Sequence, residues 1–462
     1  MSGARGGTVS PARAAALAVL RRLRRENAAL DESTAGLGEL EGLEARDRAL
    51  AFELVTGVLR RRGSCDAVLE HAATAPRRIE PDLLDVLRLG AYQLLFLDRV
   101  PAYAVVDDAV VMAGRSRHRR GFVNAVLRRV AAEGREVLER LGAGEDDHAL
   151  SVRFSVPEWI VALVRRDLGD GAATGVLEAA GQAPERCVRV NTTVIAPVAA
   201  RAALEAAGYT VAAVEGLDDA LVLDGPSLES SAPFRDGLVT PQSRGSQLVA
   251  PVAVAGAEGA LLDLCAAPGT KTAHLAALRP RAPIVAVDVD PGRVEALEGN
   301  LRRLQAPLAA AAGGPGVAAV CADALALPAE YAGAFDAVLV DAPCTGLGTM
   351  AARPDLRWRR RPADVARMAA VQRGLLAAGA ACVRPGGALT YAVCTLTRGE
   401  TTAVVEAFAD GAEWSFDDLG AVHSRWAHPD NGAYLRTLPP RDGSSGFFVA
   451  RLRRRVAQAG AR

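Results

Sequence analysis

The chain reads as a multidomain protein: an all-α helical bundle at residues 1–140, a small α/β module at 150–250 and a doubly wound α/β domain at 251–462. Three observations predict this. Its 462 residues are too many for one domain, on a prior of about 150 residues each. Apolar residues recur at helical spacing through residues 10–132 and then give way to a mixed pattern. Beyond residue 259, short apolar runs alternate with helical stripes, as in a mostly parallel sheet covered by helices on both faces.

Composition narrows the function classes. The chain has 54 Lys+Arg and 54 Asp+Glu, and 50% of it is hydrophobic, which excludes a mostly disordered chain. No apolar run reaches the roughly 18 residues of a membrane helix. The N-terminus lacks the apolar core of a signal peptide, so a cytoplasmic protein without a membrane partner is expected. The seven cysteines (65, 187, 265, 321, 344, 382, 394) are odd in number, scattered and without C-x-x-C spacing. That pattern argues for reduced thiols and against a disulfide scaffold or a metal site. Charge is not evenly spread: residues 1–135 carry 22 Arg and 17 acidic residues, so RNA contact requires local patches. Lys271 is the only lysine, every other member of the Lys+Arg count being arginine.

In chain order, Ser10-Pro11 marks a helix start, with Ala16, Leu20 and Leu23 at helical spacing after it. Further stripes follow at Leu50/Leu54/Val58, Leu84/Leu87/Ala91/Leu95, Val106/Val110/Ala113 and Phe122/Val126/Val130, predicting a compact bundle. Arginine clusters at 21–25, 60–62 and 115–120 make an RNA-backbone footprint on this bundle a candidate. Residues 133–148 are acidic and glycine-containing and read as a linker. From about 150 the pattern reads as mixed α/β, with strands at 187–191, 209–214 and 220–223 and a helix at 197–207. Strands of the larger sheet are expected at 260–264, 283–288, 316–321, 335–341 and 388–393, and a surface loop over 308–318.

The chemistry-bearing motifs lie where these strands end. Leu261–Leu264 runs into Cys265-Ala266-Ala267-Pro268-Gly269-Thr270-Lys271 and then a helix. Ligands of doubly wound sheets bind at strand carboxyl ends, where small residues let the backbone approach. The turn lacks phosphate-loop spacing. Asp288 ends the next strand, placed to accept both hydroxyls of a ribose. An adenosine-type cofactor without phosphates fits, S-adenosylmethionine being the obvious one. Asp323 follows the third strand, where its carboxylate can take an adenine amino group. Asp341-Ala342-Pro343-Cys344 ends the fourth, and Val393-Cys394 the fifth, bringing two cysteines to the same edge.

These residues resemble a known family. Cys265 to Lys271, Asp288, Asp323, Asp341-Ala342-Pro343-Cys344 and Cys394 line up with the motifs of bacterial RNA cytosine-5 methyltransferases. Leu89–Leu95 and Gly121–Arg128 are similar to the NusB-like domain that heads the RsmB (Sun, Fmu) branch. Phe154–Trp159 and Arg189–Thr192 resemble its middle segment, and Gly446–Leu452 its closing strand. The resemblance implies a Rossmann-like methyltransferase domain, S-adenosyl-L-methionine as cofactor, and methylation of a cytosine C5 in 16S ribosomal RNA, naked or in a small-subunit particle, by a monomer. It places the cofactor on Cys265, Ala266, Ala267, Pro268, Gly269, Thr270, Lys271, Asp288, Asp323 and Asp341. Catalysis falls to Cys394, Cys344, Asp341 and Lys271.

Cytosine C5 is a poor nucleophile, and thiolate attack at C6 makes it an enamine able to take a methyl group. Chemistry alone does not choose between the two thiols. By resemblance Cys394 attacks and Cys344 assists release, with Asp341 hydrogen-bonding the ring at N3/N4 and Lys271 lowering a thiol pKa or orienting Asp341. Trp358, with Arg353, Arg357 and Arg359–Arg361, is a candidate RNA-stacking patch. The chain departs from the family pattern at Thr270, at Val393, in 242–247, in 352–358 and in 397–400, where only Glu400 of a usual Pro-Glu-Glu is kept. Two alternatives stay open: a tRNA cytosine-5 methyltransferase, and a non-enzymatic NusB-like RNA-binding or transcription factor.

Overall fold

The computed structural model describes residues 9–30, 38–73, 79–309, 315–409 and 413–456. It divides into two compact units, Met1–Ala183 with Met350–Arg360, and Pro184–Thr349 with Arg361–Arg462.

Among its described residues the first unit carries helices and no strand: α1 (Pro11–Glu26), α2 (Ala45–Ala72), α3 (Pro81–Phe96), α4 (Ala102–Met112), α5 (Arg117–Leu141), α6 (Asp147–Phe154), α7 (Glu158–Leu168) and α8 (Asp170–Ala180). Pro11 and Pro81 occupy first-turn positions, where a missing N–H costs nothing. The stripes meet in one core that includes Leu54, Leu87, Leu89, Val126 and Leu127. Helices α2 and α3 approach so closely that a Cβ on Gly57 would lie 2.1 Å from Cζ of Tyr92.

One expectation fails here. The linker expected over 133–148 is mostly helix, because Val137, Leu138 and Leu141 carry the apolar stripe of α5 onward; only 142–146 connects it to α6. The stretch read as mixed α/β from about 150 opens with helices, Ile160, Leu163 and Val164 of α7 and Val176 and Leu177 of α8 burying helical stripes, and its first strand begins at Cys187.

Met350–Arg360 joins this unit despite its distance in sequence. Arg357 is fully buried and donates to the carbonyls of Ser155 (3.2 Å), Ala180 (2.7 Å) and Met350 (2.7 Å). Burial, reinforced by Arg60 and Arg61, brings its guanidinium pKa down to about 9. Trp358 is half-buried; its indole N–H donates to Leu59 O at 2.6 Å and its ring lies under Arg62 at 5.3 Å. Trp358 and Arg357 are therefore packing elements of the helical unit, and the candidate stacking patch is withdrawn. The first arginine cluster is likewise neutralised, with Arg22 on Glu39, Arg24 on Asp82 and Asp85, and Arg25 on Asp82. Arg115, Arg117 and Arg120 remain exposed.

The second unit holds two sheets. In the smaller, β1 (Cys187–Val190), β2 (Thr210–Val214), β3 (Leu217–Asp224) and β4 (Val239–Pro241) pair antiparallel in the order β2-β3-β1-β4. In the larger, β5 (Leu261–Leu264), β6 (Pro283–Asp288), β7 (Gly316–Cys321), β8 (Phe335–Asp341) and β9 (Val383–Val393) run parallel in the order β9-β8-β5-β6-β7. Strands β10 (Trp414–Phe416), β11 (Ala427–His428), β12 (Asn431–Thr437) and β13 (Phe447–Arg454) extend it antiparallel, with β13 beside β9. Strand β5 is flanked by β6 and β8, so the order reverses there, and doubly wound sheets bind ligands at such a switch point. Of the loop expected over 308–318, residues 310–314 lie outside the described residues, and 316–318 belong to β7.

Candidate active site

The parallel order brings the carboxyl ends of β5, β6, β8 and β9 to one edge, and the sequence-singled residues follow. At the end of β5 the backbone turns sharply, with Cys265 at φ 62° and Gly269 at φ 93°. A Cβ on Gly269 would lie 2.5 Å from Cδ1 of Leu297, so this approach of turn to helix Pro291–Arg303 requires glycine. Inside the turn, Ala266 N donates to Val287 O (2.9 Å), Ala267 N to Asp288 Oδ2 (3.2 Å) and Gly269 N to Ala266 O (2.9 Å). Pro268 O accepts from Asn300 Nδ2 at 3.0 Å. Thr270 opens the helix Thr270–Leu278.

These bonds decide which cofactor fits. A pyrophosphate needs free backbone N–H groups, and three of this turn's are spent within the protein. What the site offers is acceptors. Asp288 is buried, its Oδ1 accepting from Asp290 N at 3.3 Å and its Oδ2 pairing with Arg293 at 3.2 Å. Asp263, fully buried on β5, accepts from Thr272 Oγ1 at 2.7 Å through Oδ2, while Oδ1 has no hydrogen-bond partner among the described residues. Burial pushes its carboxyl up to about 7. A phosphate-free, donor-rich nucleoside such as S-adenosylmethionine matches this set. Asp323 lies beyond β7, exposed, with Oδ1 accepting from Leu325 N at 2.9 Å, apart from the other site residues.

Beside the turn, Lys271 Nζ donates to Asp341 Oδ2 at 2.6 Å and sits 5.2 Å from the centre of the Phe447 ring. Burial works against its ammonium, but the charge and hydrogen bond of Asp341, with Cys394 and Asp263 adding, raise its pKa overall. The two thiols predicted to share the edge do meet: Cys344 Sγ and Cys394 Sγ are 3.4 Å apart, both half-buried. The hydrogen bond with Cys394, then burial and the negative charges of Cys394 and Glu400, push the Cys344 thiol well above its usual range. Cys265 is likewise held as a thiol, by burial and by Asp341, Asp288 and Asp263, its pKa rising to about 12.

Sequence reading missed a third component. Glu400, fully buried, accepts from Thr345 N (2.8 Å), Thr345 Oγ1 (2.5 Å), Thr397 Oγ1 (2.9 Å), Thr395 Oγ1 (3.3 Å) and Gln372 Nε2 (3.1 Å). Its only sequence signal was that it survives where the neighbouring family residues do not.

Comparison with known proteins agrees with this architecture. Residues 253–453 match the model described as 16S rRNA methyltransferase RsmB/F, residues 10–132 the NusB family, and residues 156–228 the ferredoxin-like domain of RsmF/B-like methyltransferases. A protein of Mycobacterium tuberculosis (strain ATCC 25618 / H37Rv) named "Putative methyltransferase Rv1407" is 38% identical, with 98% of each chain covered. Ribosomal RNA small subunit methyltransferase B of Vibrio cholerae serotype O1 is 31% identical over 88% of this chain and 90% of that one. The crystal structure of PH0851 shares the fold, with a TM-score of 0.75 at 24% identity, covering 96% of this chain and 99% of that one. With a helical NusB part, a small antiparallel sheet and a switch-point site on the larger sheet, the chain belongs to the RsmB/F family of 16S rRNA methyltransferases.

Proposed function

We propose that this chain transfers a methyl group from S-adenosylmethionine to C5 of a cytosine in 16S ribosomal RNA, through a covalent bond between Cys394 and C6. The 3.4 Å approach of Cys344 and Cys394 beside the Lys271–Asp341 pair carries the reading. Turn residues Cys265–Lys271, with Asp263, Asp288, Asp323 and Asp341, would hold the cofactor, which when bound supplies the sulfonium methyl group that C5 takes.

The chain's own groups do the rest. The Cys394 thiolate bonds to C6, and the C5=C6 electron pair moves onto C5 and the ring. Asp341, oriented by Lys271, accepts from the N4 amino group and holds the ring, while the Lys271 ammonium beside it offsets the negative charge that develops at N3. Once Cys394 is bonded to carbon it no longer carries the negative charge that holds the proton on Cys344. Cys344 then loses that proton to solvent and, as thiolate, takes the proton from methylated C5. The pair re-forms C5=C6, the C6–Sγ bond breaks, and Cys394 leaves as thiolate. None of the described cysteines is tied up in a disulfide, so both thiols can take part in this chemistry.

In this division of labour residues 1–140 dock RNA, with Arg115, Arg117 and Arg120 on the backbone, 150–250 position it, and 251–462 carry the chemistry as a monomer. The target base lies in an unpaired region or is flipped out. Incubation with tritiated S-adenosylmethionine and unmethylated 16S RNA tests the reading. Transfer to cytosine C5 is expected, lost in Cys394→Ala, while Cys344→Ala retains RNA as a denaturation-resistant gel shift. No transfer, or full activity of Cys394→Ala, sinks it.

A further inference from the structure

We infer that Glu400 is the positioning residue that holds Cys344 against Cys394, and that it acts chiefly on the release half of the reaction. The inference rests on the two-thiol reading above. Burying a carboxylate costs far more than filling the same space with an apolar side chain, so its donors and its placement need a reason. Glu400 collects donors from both thiol loops: Thr345 directly follows Cys344, and Thr395 and Thr397 follow Cys394. The Thr395 hydroxyl proton is shared between Glu400 and the Thr345 oxygen 2.9 Å away, which closes the ring. Tyr391 OH donates to the Glu400 carbonyl at 2.7 Å, fixing the carboxylate's own backbone.

The two thiols depend on this clamp unequally. Cys394 directly follows β9, whose Ala392 and Val393 pair with Val449 and Phe448 of β13, and its carbonyl accepts from Gly348 N at 3.1 Å. Cys344 lies three residues past the end of β8. The residue before it is held by Gln372, whose Nε2 donates to Pro343 O at 3.0 Å and to Glu400 Oε1. The residue after it is held by Glu400 itself. Gln372 and Glu400 therefore grip Cys344 from both sides, while the sheet anchors Cys394. Without the clamp, attack at C6 by Cys394 survives. Removal of the C5 proton by Cys344, with return of its electron pair to C5=C6 and departure of the Cys394 thiolate, slows.

The test partitions the two halves. Wild type, Glu400→Ala, Gln372→Met, Cys344→Ala and Cys394→Ala are compared for turnover and for covalent RNA adduct per enzyme. In Glu400→Ala, turnover is expected to fall about 100-fold, the cost of roughly an ångström of misplacement, while adduct rises several-fold above wild type. Gln372→Met shifts both in the same direction to a smaller degree, and decides the matter by the same criterion should Glu400→Ala not fold. A purely structural role moves adduct and turnover down together; that result, or no change in either, overturns the inference. The cysteine variants separate the two levels. If Cys394→Ala stays active or Cys344→Ala retains no adduct, the two-thiol reading itself fails. If both behave as stated and the Glu400 and Gln372 variants do not, the clamp alone is wrong.

Discussion

Removing Cys344 should slow the chemistry of Cys394 even with no RNA present. Two full charges 3.4 Å apart repel by about 5 kcal/mol at an effective dielectric constant near 20, so the pair does not lose both protons in the neutral range. Cys344 is the thiol whose pKa is raised, so it keeps its proton when Cys394 ionises, and its S–H then supports the thiolate. A hydrogen bond to a charged acceptor is worth about 1.5–3 kcal/mol, so its loss in Cys344→Ala cuts the thiolate population at fixed pH by about 10- to 150-fold. A more basic thiolate is also more nucleophilic, which returns roughly half of that on a logarithmic scale. The net expectation is alkylation of Cys394 by iodoacetamide about 3- to 10-fold slower than in wild type, read at pH 7 by peptide mass spectrometry. Cys344→Ser, which keeps an O–H donor, should recover most of the rate. Cys394→Ala should conversely speed alkylation of Cys344, since it removes the first cause of that thiol's raised pKa. Unchanged or faster alkylation of Cys394 in Cys344→Ala would refute the shared-proton account.

Further outcomes follow from the same geometry. Lys271→Met strips Asp341 of its cation and should lower methyl transfer about 100-fold in the tritium assay; Lys271→Arg, with a fork in place of a compact ammonium, should also lose activity and weaken cofactor binding. Gly269→Ala forces a Cβ onto φ 93° against Leu297 and should cost about 1–3 kcal/mol in denaturant unfolding. Asp263, with its folded pKa raised to about 7, favours the fold below pH 4 and loses that contribution as pH rises through 7; in Asp263→Asn this fall between pH 4 and 7 should flatten. Asp336 is the opposite case. Its bond from Arg384, with the N–H groups of Gly259 and Glu258, holds its carboxyl at about 2, so its stabilisation is full above pH 4 and disappears toward pH 2. Asp336→Asn should remove about 1–2 kcal/mol at pH 7 by equilibrium unfolding.

The strands of the parallel sheet were legible where burial on both faces makes the sequence a continuous apolar run. Pro283–Asp288, Gly316–Cys321 and Phe335–Asp341 fall where the runs lie, and the residues just past such runs form the site edge. Helix ends were harder. The acidic, glycine-bearing stretch after 132 looked like a linker because surface residues outnumber the few, Val137 among them, that hold α5 to its core. Glu400 was out of reach for another reason. Its donors come from residues 345, 372, 395 and 397, and no local pattern announces that three threonines and a glutamine will converge. Trp358 failed similarly: an aromatic among arginines looks like a stacking platform until the carbonyl of Leu59 takes its N–H.

Arg357 carries a consequence for how the chain is made. Its guanidinium satisfies the carbonyls of Ala180 and Ser155, 177 and 202 residues earlier in the sequence, and Asp355 accepts from Leu30 N, 325 residues earlier. A ribosome synthesising this protein releases α1 to α8 long before the segment that completes them exists. The nascent helical unit therefore waits, with buried carbonyls unpaired, through the synthesis of the smaller sheet and of β5 to β8. A fragment ending before Met350 would carry that unfinished state permanently, so genetic dissection of the helical part needs residues 350–360 supplied as well.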